Sequence, residues 1–408
     1  MSCSKNVALV ASVAFAPLLA LPSLAIVSCA STDAADARQE DASSVIQPSD
    51  AGTPEADAAD AAPPCEPGDR SCVSKVLSCD EADFCPVPNG LDRRHALTAV
   101  WGSSATDVWA VGSGGTILRN DGSGWKPVAS GTTETLYVAW GTGPSDVWVV
   151  GSTGTILHGP GASPSQPVWT NEAPFTTGEL FAGRLFALWG ASADDVRTGG
   201  QPYTHALDNE GNVVFGNHLH RTGGAWSVLE GFDGKYPQAT IRAIWGSSPE
   251  DVWISLDNGA DEPWARGTLV HGTAPAAGEP LAWRSIDSQS SVVLESLWGS
   301  SAGDVWAVGV NGTIRRYTAG AMKWAVVDEA KTHETLHRVW GSGPKDVWVV
   351  GDAGTILHFD GTTWTEATVA FPLGKKPNLT GVWGSGPNDV WVVGDGYTLH
   401  FTGKKAGK

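Results

Sequence analysis

A motif that joins Trp-Gly to Asp-Val recurs seven times between Leu97 and the C-terminus. Asp-Val follows six residues after each Trp of the Trp-Gly pairs, which begin at Trp101, Trp140, Trp189, Trp245, Trp298, Trp340 and Trp383. Successive copies are 39 to 56 residues apart. A period near 40 residues with several short strand-like runs in each copy is typical of a β-propeller. The sequence therefore predicts an all-β fold, a seven-bladed β-propeller over residues 97–408.

Each copy contains four strand candidates separated by Gly-rich turns, which predicts four-stranded blades. The first reads L-x-x-V-W-G, the second D-V-W-x-V-G and the third G-T-I-L followed by His or Arg, and the fourth carries a Trp. Nineteen of the 20 tryptophans occupy repeat-equivalent places; the exception is Trp264. Because both faces of a blade are packed, we expect these rings to fill the wedges between blades.

The seventh copy ends after its third strand, with only TGKKAGK following. The segment Phe84-Cys85-Pro86-Val87 resembles the fourth strand of the first copy, Trp125-Lys126-Pro127-Val128. We therefore predict that this N-terminal strand closes the last blade. Main-chain hydrogen bonds between the two ends of the domain would then leave no open edge.

The N-terminal region indicates export. Lys5 precedes a long apolar run that ends in Ile26-Val27-Ser28-Cys29, so residues 1–28 are predicted to be a signal peptide. This ending resembles the lipobox of bacterial lipoproteins, which implies lipidation of Cys29 and a membrane anchor; a conventional signal peptide is the alternative. Residues 29–64 are acidic and rich in Ala, Asp and Pro, which predicts a disordered tether.

Four cysteines, Cys65, Cys72, Cys79 and Cys85, lie within 21 residues of this exported chain. They predict two disulfides, with three possible connectivities, in a Cys-rich collar over residues 65–96. A zinc site is the alternative, but no His accompanies these cysteines and CxxC pairs are missing. The predicted site residues therefore include no metal ligand.

The charge of the chain and the absence of common catalytic motifs limit the classes of function to be considered. The formal net charge of -18 and the lack of a basic stripe exclude nucleic acid as the expected partner, because phosphate binding needs clustered Lys and Arg. The sequence contains no GxSxG, HExxH or P-loop motif. We predict no catalytic residue and no cofactor, and a binding protein is favoured over an enzyme.

A basic residue ends the third strand candidate of every copy. The seven residues are Arg119, His158, His220, His271, Arg316, His358 and His400. One interpretation is a ring of cations or metal ligands; the other is a side chain hydrogen-bonded inside each blade. Repetition in all copies favours the structural role, since binding sites usually break symmetry.

Departures from the repeat are the better candidates for ligand binding. The third copy has Arg197 where six copies have Trp, followed by an insertion over residues 198–216, and the fourth has an insertion over 256–267. Loops on one face of a propeller are a common binding region. The predicted ligand-binding residues are Arg197, Tyr203, His205, Tyr236 and Trp264. The alternatives are neutral loop drift and, for Arg197, pairing with Asp194, Asp208 or Glu210.

The pattern WGSSxxDVWAVGxxGTILHxDGxxW resembles the WD40/YVTN/BNR-like propellers of bacteria, and it is similar to tectonin-type repeats and to propellers of photosystem assembly factors. The resemblance covers residues 97–403 and implies the architecture, not one activity. Our interpretation is a lipid-anchored protein of the bacterial cell envelope, at the outer membrane or cell surface, whose propeller is a binding or scaffolding module for a glycan or protein. The alternatives are a glycoside hydrolase or lyase acting on extracellular polysaccharide, and an envelope assembly factor.

Overall fold

The computed structural model describes residues 65–66, 68–159, 168–174, 183–207, 213–230, 236, 238–259 and 267–403, with the backbone alone for 203–207, 213–217 and 230. The predicted signal peptide, Cys29 and the predicted tether lie outside the described residues. Within the described part of the chain, no helix is long and apolar enough to cross a membrane.

Seven four-stranded antiparallel sheets form the blades of a propeller, as predicted. The first, innermost strands are Leu97–Ser104, Leu136–Gly143, Leu185–Ser192, Thr240–Ser248, Leu294–Ser301, Leu336–Gly343 and Leu379–Gly386. The second strands are Asp107–Gly112, Asp146–Gly151, Asp195–Leu207, Asp251–Asp257, Asp304–Gly309, Asp346–Gly351 and Asp389–Gly394.

The outer half of each blade completes the sheet. The third strands are Ile117–Asn120, Ile156–Gly159, Val213–Thr222, Thr268–Thr273, Thr313–Thr318, Ile356–Phe359 and Tyr397–Phe401. The fourth strands are Trp125–Val128, Thr170–Asn171, Ala225–Glu230, Ala282–Ile286, Ala325–Val326, Trp364–Glu366 and, for the seventh blade, Cys85–Pro86.

The N-terminal strand closes the last blade, which confirms the prediction. Cys85 pairs with His400, and the Val87 N–H donates to the Thr398 carbonyl at 2.8 Å. Just before this strand, Phe84 is fully buried and forms a bridge to Val369 of the link after blade six. The two ends of the domain are therefore joined by main-chain hydrogen bonds.

Both predicted disulfides form, and the connectivity is sequential. Cys65 pairs with Cys72, and Cys79 pairs with Cys85, with Cα–Cα distances of 5.6 and 5.4 Å. A short strand at Cys72–Val73 pairs with Gly374–Lys375 in the link to blade seven. The Cys-rich segment is therefore attached to the same blade that its closing strand completes.

The hydrophobic core lies between neighbouring blades. In six of the seven blades, the fourth-strand aromatic ring packs nearly edge-on against the second-strand Trp of the preceding blade. The pairs are Trp125–Trp391, Trp169–Trp109, Trp226–Trp148, Trp324–Trp253, Trp364–Trp306 and Phe84–Trp348, with centroids 5.1–5.8 Å apart. Edge-to-face contacts of this kind stabilise aromatic pairs beyond the area they bury.

The repeated Trp-Gly dipeptide is explained by a second contact between blades. The first-strand Trp of each blade lies over the first-strand Gly of the next; a Cβ at Gly341 would lie 2.6 Å from Cη2 of Trp298. The same contact joins Trp383 of blade seven to Gly102 of blade one. Glycine is required here because the indole ring approaches the backbone too closely for any side chain.

Candidate functional site

The Asp that begins each second strand binds the basic residue of the third strand in the same blade. The pairs are Asp107–Arg119, Asp146–His158, Asp195–His220, Asp251–His271, Asp304–Arg316, Asp346–His358 and Asp389–His400, with N–O distances of 2.6–3.2 Å. Each pair spans two strands of one blade. These hydrogen bonds give the basic residues the structural role that symmetry favours.

Two further contacts hold the His158–Asp146 pair in place. The His158 ring stacks on Trp148 with centroids 3.8 Å apart, and the first-strand Thr142 hydroxyl donates to Asp146. Burial alone would lower the pKa of His158, but hydrogen bonds to Asp146 and Glu172 outweigh it and raise this pKa. Burial would raise the pKa of Asp146, yet hydrogen bonds from His158 and Thr142 lower it. The hydrogen-bonding groups of this pair are therefore used within the protein, where they stabilise the fold.

Blade three departs from this arrangement at Arg197. Arg197 is only 5% exposed. Its Nε lies 3.8 Å from Oδ1 of Asp195 and has no hydrogen-bond partner among the described residues. Burial lowers the pKa of Arg197, and Asp195 opposes this shift. Asp194, one of the acids proposed as its partner, instead lies 3.9 Å from Arg221. The charge of Arg197 is thus weakly compensated.

A cleft of about 430 Å³ lies between blades three and four beside this residue. Its lining includes Arg197, His220 and Trp283, together with the carboxylates of Asp195, Glu250 and Glu279. Trp283 is the fourth-strand Trp of blade four, and the ring that faces it edge-on is His218 at 6.3 Å. The cleft therefore combines a cation with a large aromatic side chain at the place where the symmetric Trp pair is missing.

The other predicted ligand-binding residues do not all fall in the described part of the structure, and those that do lie in different places. Tyr236 is partly buried and packs against the apolar cluster between blades three and four. Tyr203 and His205 lie within the second strand of blade three, where the backbone alone is described. Trp264, Asp208 and Glu210 lie outside the described residues. Of these side chains only that of Tyr236 is described, and it belongs to the apolar cluster rather than to the lining of the cleft at Arg197.

The insertion after Arg197 differs from the expected loop. It lengthens two paired strands, Asp195–Leu207 and Val213–Thr222, into a hairpin in which Tyr203 lies opposite Gly216. The register shifts between Gly199 and Tyr203, which accommodates Pro202, a residue without an N–H, at an irregularity in the ladder. Blade three thus extends beyond the other blades at the end of its second strand.

The axis of the propeller contains a cavity that the sequence reasoning missed. Its volume is about 180 Å³, and every blade contributes the residue that follows the first Leu or Ile of its repeat. These residues are Thr98, Tyr137, Phe186, Arg242, Glu295, His337 and Thr380, joined by Arg338. The Trp-Gly and Asp-Val dipeptides hardly vary among the seven copies, whereas the residue at this one position differs in almost every copy. This variation is the sequence signal that could have indicated the cavity.

A β-bulge directs these side chains toward the axis. In blade one, Leu97 pairs with Gly112 and Ala99 with Val111, so Thr98 is the extra residue of its strand. The same shift occurs at the equivalent place in all seven blades. Bulges commonly redirect a side chain beside a functional site.

Charged groups alternate along one side of the cavity. Arg242 lies 2.8 Å from Asp257 and 3.7 Å from Glu295. His337 lies 2.7 Å from Asp352 in the turn after the second strand of its own blade. Burial lowers the pKa of Arg338, and Glu295 opposes this shift. Within the described part of the chain, Arg338 forms neither a hydrogen bond nor an ion pair.

Among the described residues, no group of three or more His, Cys, Asp and Glu side chains is arranged to hold a metal ion. In five of the seven blades, the symmetric pairs place one imidazole beside the carboxylate of the second-strand Asp. The cleft at Arg197 and the axial cavity each contain an arginine and an aromatic side chain.

No family model matches the sequence, and no curated protein matches it. Solved structures similar to this chain include YCF48 bound to a D1 peptide, at 16% identity and a TM-score of 0.53, covering 82% of this chain and 99% of that one. The WD40 propeller domain of Doa1 has 11% identity and a TM-score of 0.58, covering 80% and 98%.

The extracellular domain of a proposed one-component system of B. thetaiotaomicron is also similar, at 13% identity and a TM-score of 0.56, covering 79% of this chain and 40% of that one. At these identities the likeness establishes the WD40-like propeller fold alone. This agrees with the fold that the repeat pattern predicts.

Proposed function

We propose that this chain is an exported, lipid-anchored protein whose propeller binds an acidic glycan or protein of the bacterial cell envelope. The observation that carries the binding role is the cleft at Arg197. Six blades fill this place with a Trp, whereas blade three has a buried cation whose nearest carboxylate oxygen, among the described residues, is 3.8 Å away.

A buried charge without a close counter-ion lowers the stability of the fold. An anionic group of a ligand that pairs with Arg197 would offset this cost, which favours binding of an acidic partner. A carboxylate or sulfate presents oxygen acceptors to the planar guanidinium, which favours two parallel hydrogen bonds. Trp283 lines the same cleft and offers a ring against which a sugar or a flat side chain could pack. Tyr203 and Trp264 are proposed to add stacking contacts from the pattern-breaking segments.

Two observations support export and anchoring. The two disulfides are typical of an oxidising compartment outside the cytoplasm. The lipobox-like ending at Cys29 would carry the lipid, and the acidic segment after it would hold the propeller away from the membrane. Replacing Cys29→Ser should move the full-length protein from the membrane fraction to the soluble fraction; retention in the membrane would contradict the anchor.

The binding role is tested on the released Cys29→Ser protein with an array of neutral and acidic glycans, followed by a pull-down of envelope proteins. Arg197→Ala and Trp264→Ala should each weaken binding of the captured partner by about tenfold or more. Arg94→Ala is the matched control, because Arg94 is an exposed surface residue paired with Asp92. Full affinity in both variants, with the fold intact, would place the binding surface elsewhere.

A further inference from the structure

The axial cavity contains a cation, Arg338, that forms no hydrogen bond or ion pair with any of the residues that the structure describes. Arg338 occupies the third position of its first strand, where the other blades have small residues: Ala99, Val138, Ala187, Ala243, Ser296 and Gly381. It lines the cavity, and no described side chain pairs with it. An arginine in place of a small residue, without a structural partner, is not explained by the packing of the blades.

The guanidinium of Arg338 has donors to spare. Arg242 lies 2.8 Å from Asp257 and 3.7 Å from Glu295, whereas Arg338 is influenced by the charge of Glu295 without forming an ion pair or a hydrogen bond among the described residues. The planar guanidinium can therefore donate two parallel hydrogen bonds to a bound carboxylate.

The opposite wall of the cavity is aromatic. In a ring of seven blades, the sixth blade, which carries Arg338, lies across the axis from the second and third. Those blades contribute Tyr137 and Phe186, whose ring centroids are 5.2 Å apart. The first and seventh blades contribute only Thr98 and Thr380, whose hydroxyls donate to main-chain carbonyls. The cavity therefore has Arg338 on one side and two aromatic rings on the other, with the guanidinium of Arg242 5.4 Å from the centroid of the Phe186 ring.

We propose that the axial cavity is a binding site for a small aromatic carboxylate, with the acid group on Arg338 and the ring against Tyr137 and Phe186. The volume of about 180 Å³ fits this size, since an apolar cavity of about 150 Å³ accepts benzene. The site is separate from the cleft at Arg197 and stands whether or not that cleft binds a glycan or protein.

Calorimetric titration of the full-length protein at pH 7 with benzoate, and with its neutral analogue benzamide, tests the proposal. Benzoate is ionised at this pH. We expect benzoate to bind with a Kd on the order of 1 mM or tighter, and benzamide about tenfold more weakly. Arg338→Gln should remove the preference for benzoate, whereas Arg94→Gln, on the outer surface, should keep it.

Equal affinities of the unaltered protein for benzoate and benzamide would overturn the proposal, and so would a lack of saturable benzoate binding. This comparison needs no variant, so it holds even if Arg338→Gln fails to fold. A folded Arg338→Gln protein that retains the full preference for benzoate would also overturn it. Binding by the Arg197→Ala protein should be unchanged, which separates this site from the cleft between blades three and four.

Discussion

Phe84 packs edge-on against Trp348, with ring centroids 5.4 Å apart and planes at 81°. Phe84 comes from the segment before the propeller, and Trp348 lies in the second strand of blade six. The same contact is made in five other places by a fourth-strand Trp of the following blade. Phe84 is thus the residue through which the N-terminal segment completes the core of blade seven.

Replacing Phe84→Ala should lower the free energy of unfolding by about 3–5 kcal/mol, because it removes a fully buried ring and leaves a cavity. Phe84→Trp is the matched control; it restores the residue of the other blades and should change stability by less than about 1.5 kcal/mol. Denaturant unfolding measures both. If Phe84→Ala is as stable as the unaltered protein, the segment does not close the ring.

The Trp-Gly contact gives a second prediction within one strand. Gly341→Ala should destabilise the protein by about 1–3 kcal/mol, because its Cβ would meet the ring of Trp298 and the Asp346 carbonyl. Gly343→Ala, two residues later, would place a Cβ with no atom within 4 Å and should be close to neutral. Equal melting temperatures for the two variants would show that the close approach of the indole does not matter.

The His158–Asp146 pair predicts a dependence of stability on pH. The pKa of His158 is raised in the folded protein, so its contribution is complete below the unfolded pKa, about 6.5, and is lost as the pH rises through the folded pKa. His158→Gln should therefore cost more free energy of unfolding at pH 6 than at pH 8.5. Denaturant titrations at the two pH values measure the difference, and an equal cost at both would contradict the pairing.

The lowered pKa of Asp146 predicts the acidic limit of the same pair. Its contribution is complete above the unfolded pKa, about 3.9, and is lost as the pH falls through the folded pKa. The stabilising pair should therefore be intact at mildly acidic pH. NMR titration of the Asp146 carboxyl group should show a pKa below that of the denatured protein; a higher value would contradict the hydrogen bonds from His158 and Thr142.

The fold could be predicted from the sequence because each blade repeats the same local pattern. Hydrophobic alternation, Gly turns and the short seventh copy indicated the strands and the closing segment Phe84–Val87. The lengthened hairpin after Arg197 was predicted as a loop, since its strands carry Gly and Pro that usually end a strand. The axial cavity was missed because the direction of Thr98 or Arg242 depends on a bulge, and a bulge depends on pairing register.

The central claim has two parts. The residues that repeat in every blade stabilise the fold, and Arg197, which breaks the repeat, serves binding and lowers the free energy of unfolding. Blade three also has His218 where the other third strands have Ile, Leu or Thr. His218 is buried, and its burial lowers its pKa; the charge of Arg197 lowers this pKa further. Together these two residues replace the Trp and the aliphatic side chain of the repeat.

The most direct test is the free energy of unfolding of the double variant Arg197→Trp/His218→Ile, which restores the repeat in blade three. Replacing a buried, weakly paired charge with packed apolar groups should raise stability by about 1–4 kcal/mol, because the new Trp can pack edge-on against Trp283. A higher midpoint in denaturant unfolding is the predicted result. A lower midpoint would show that Arg197 and His218 are themselves required for packing, and would contradict the assignment of this cleft to binding.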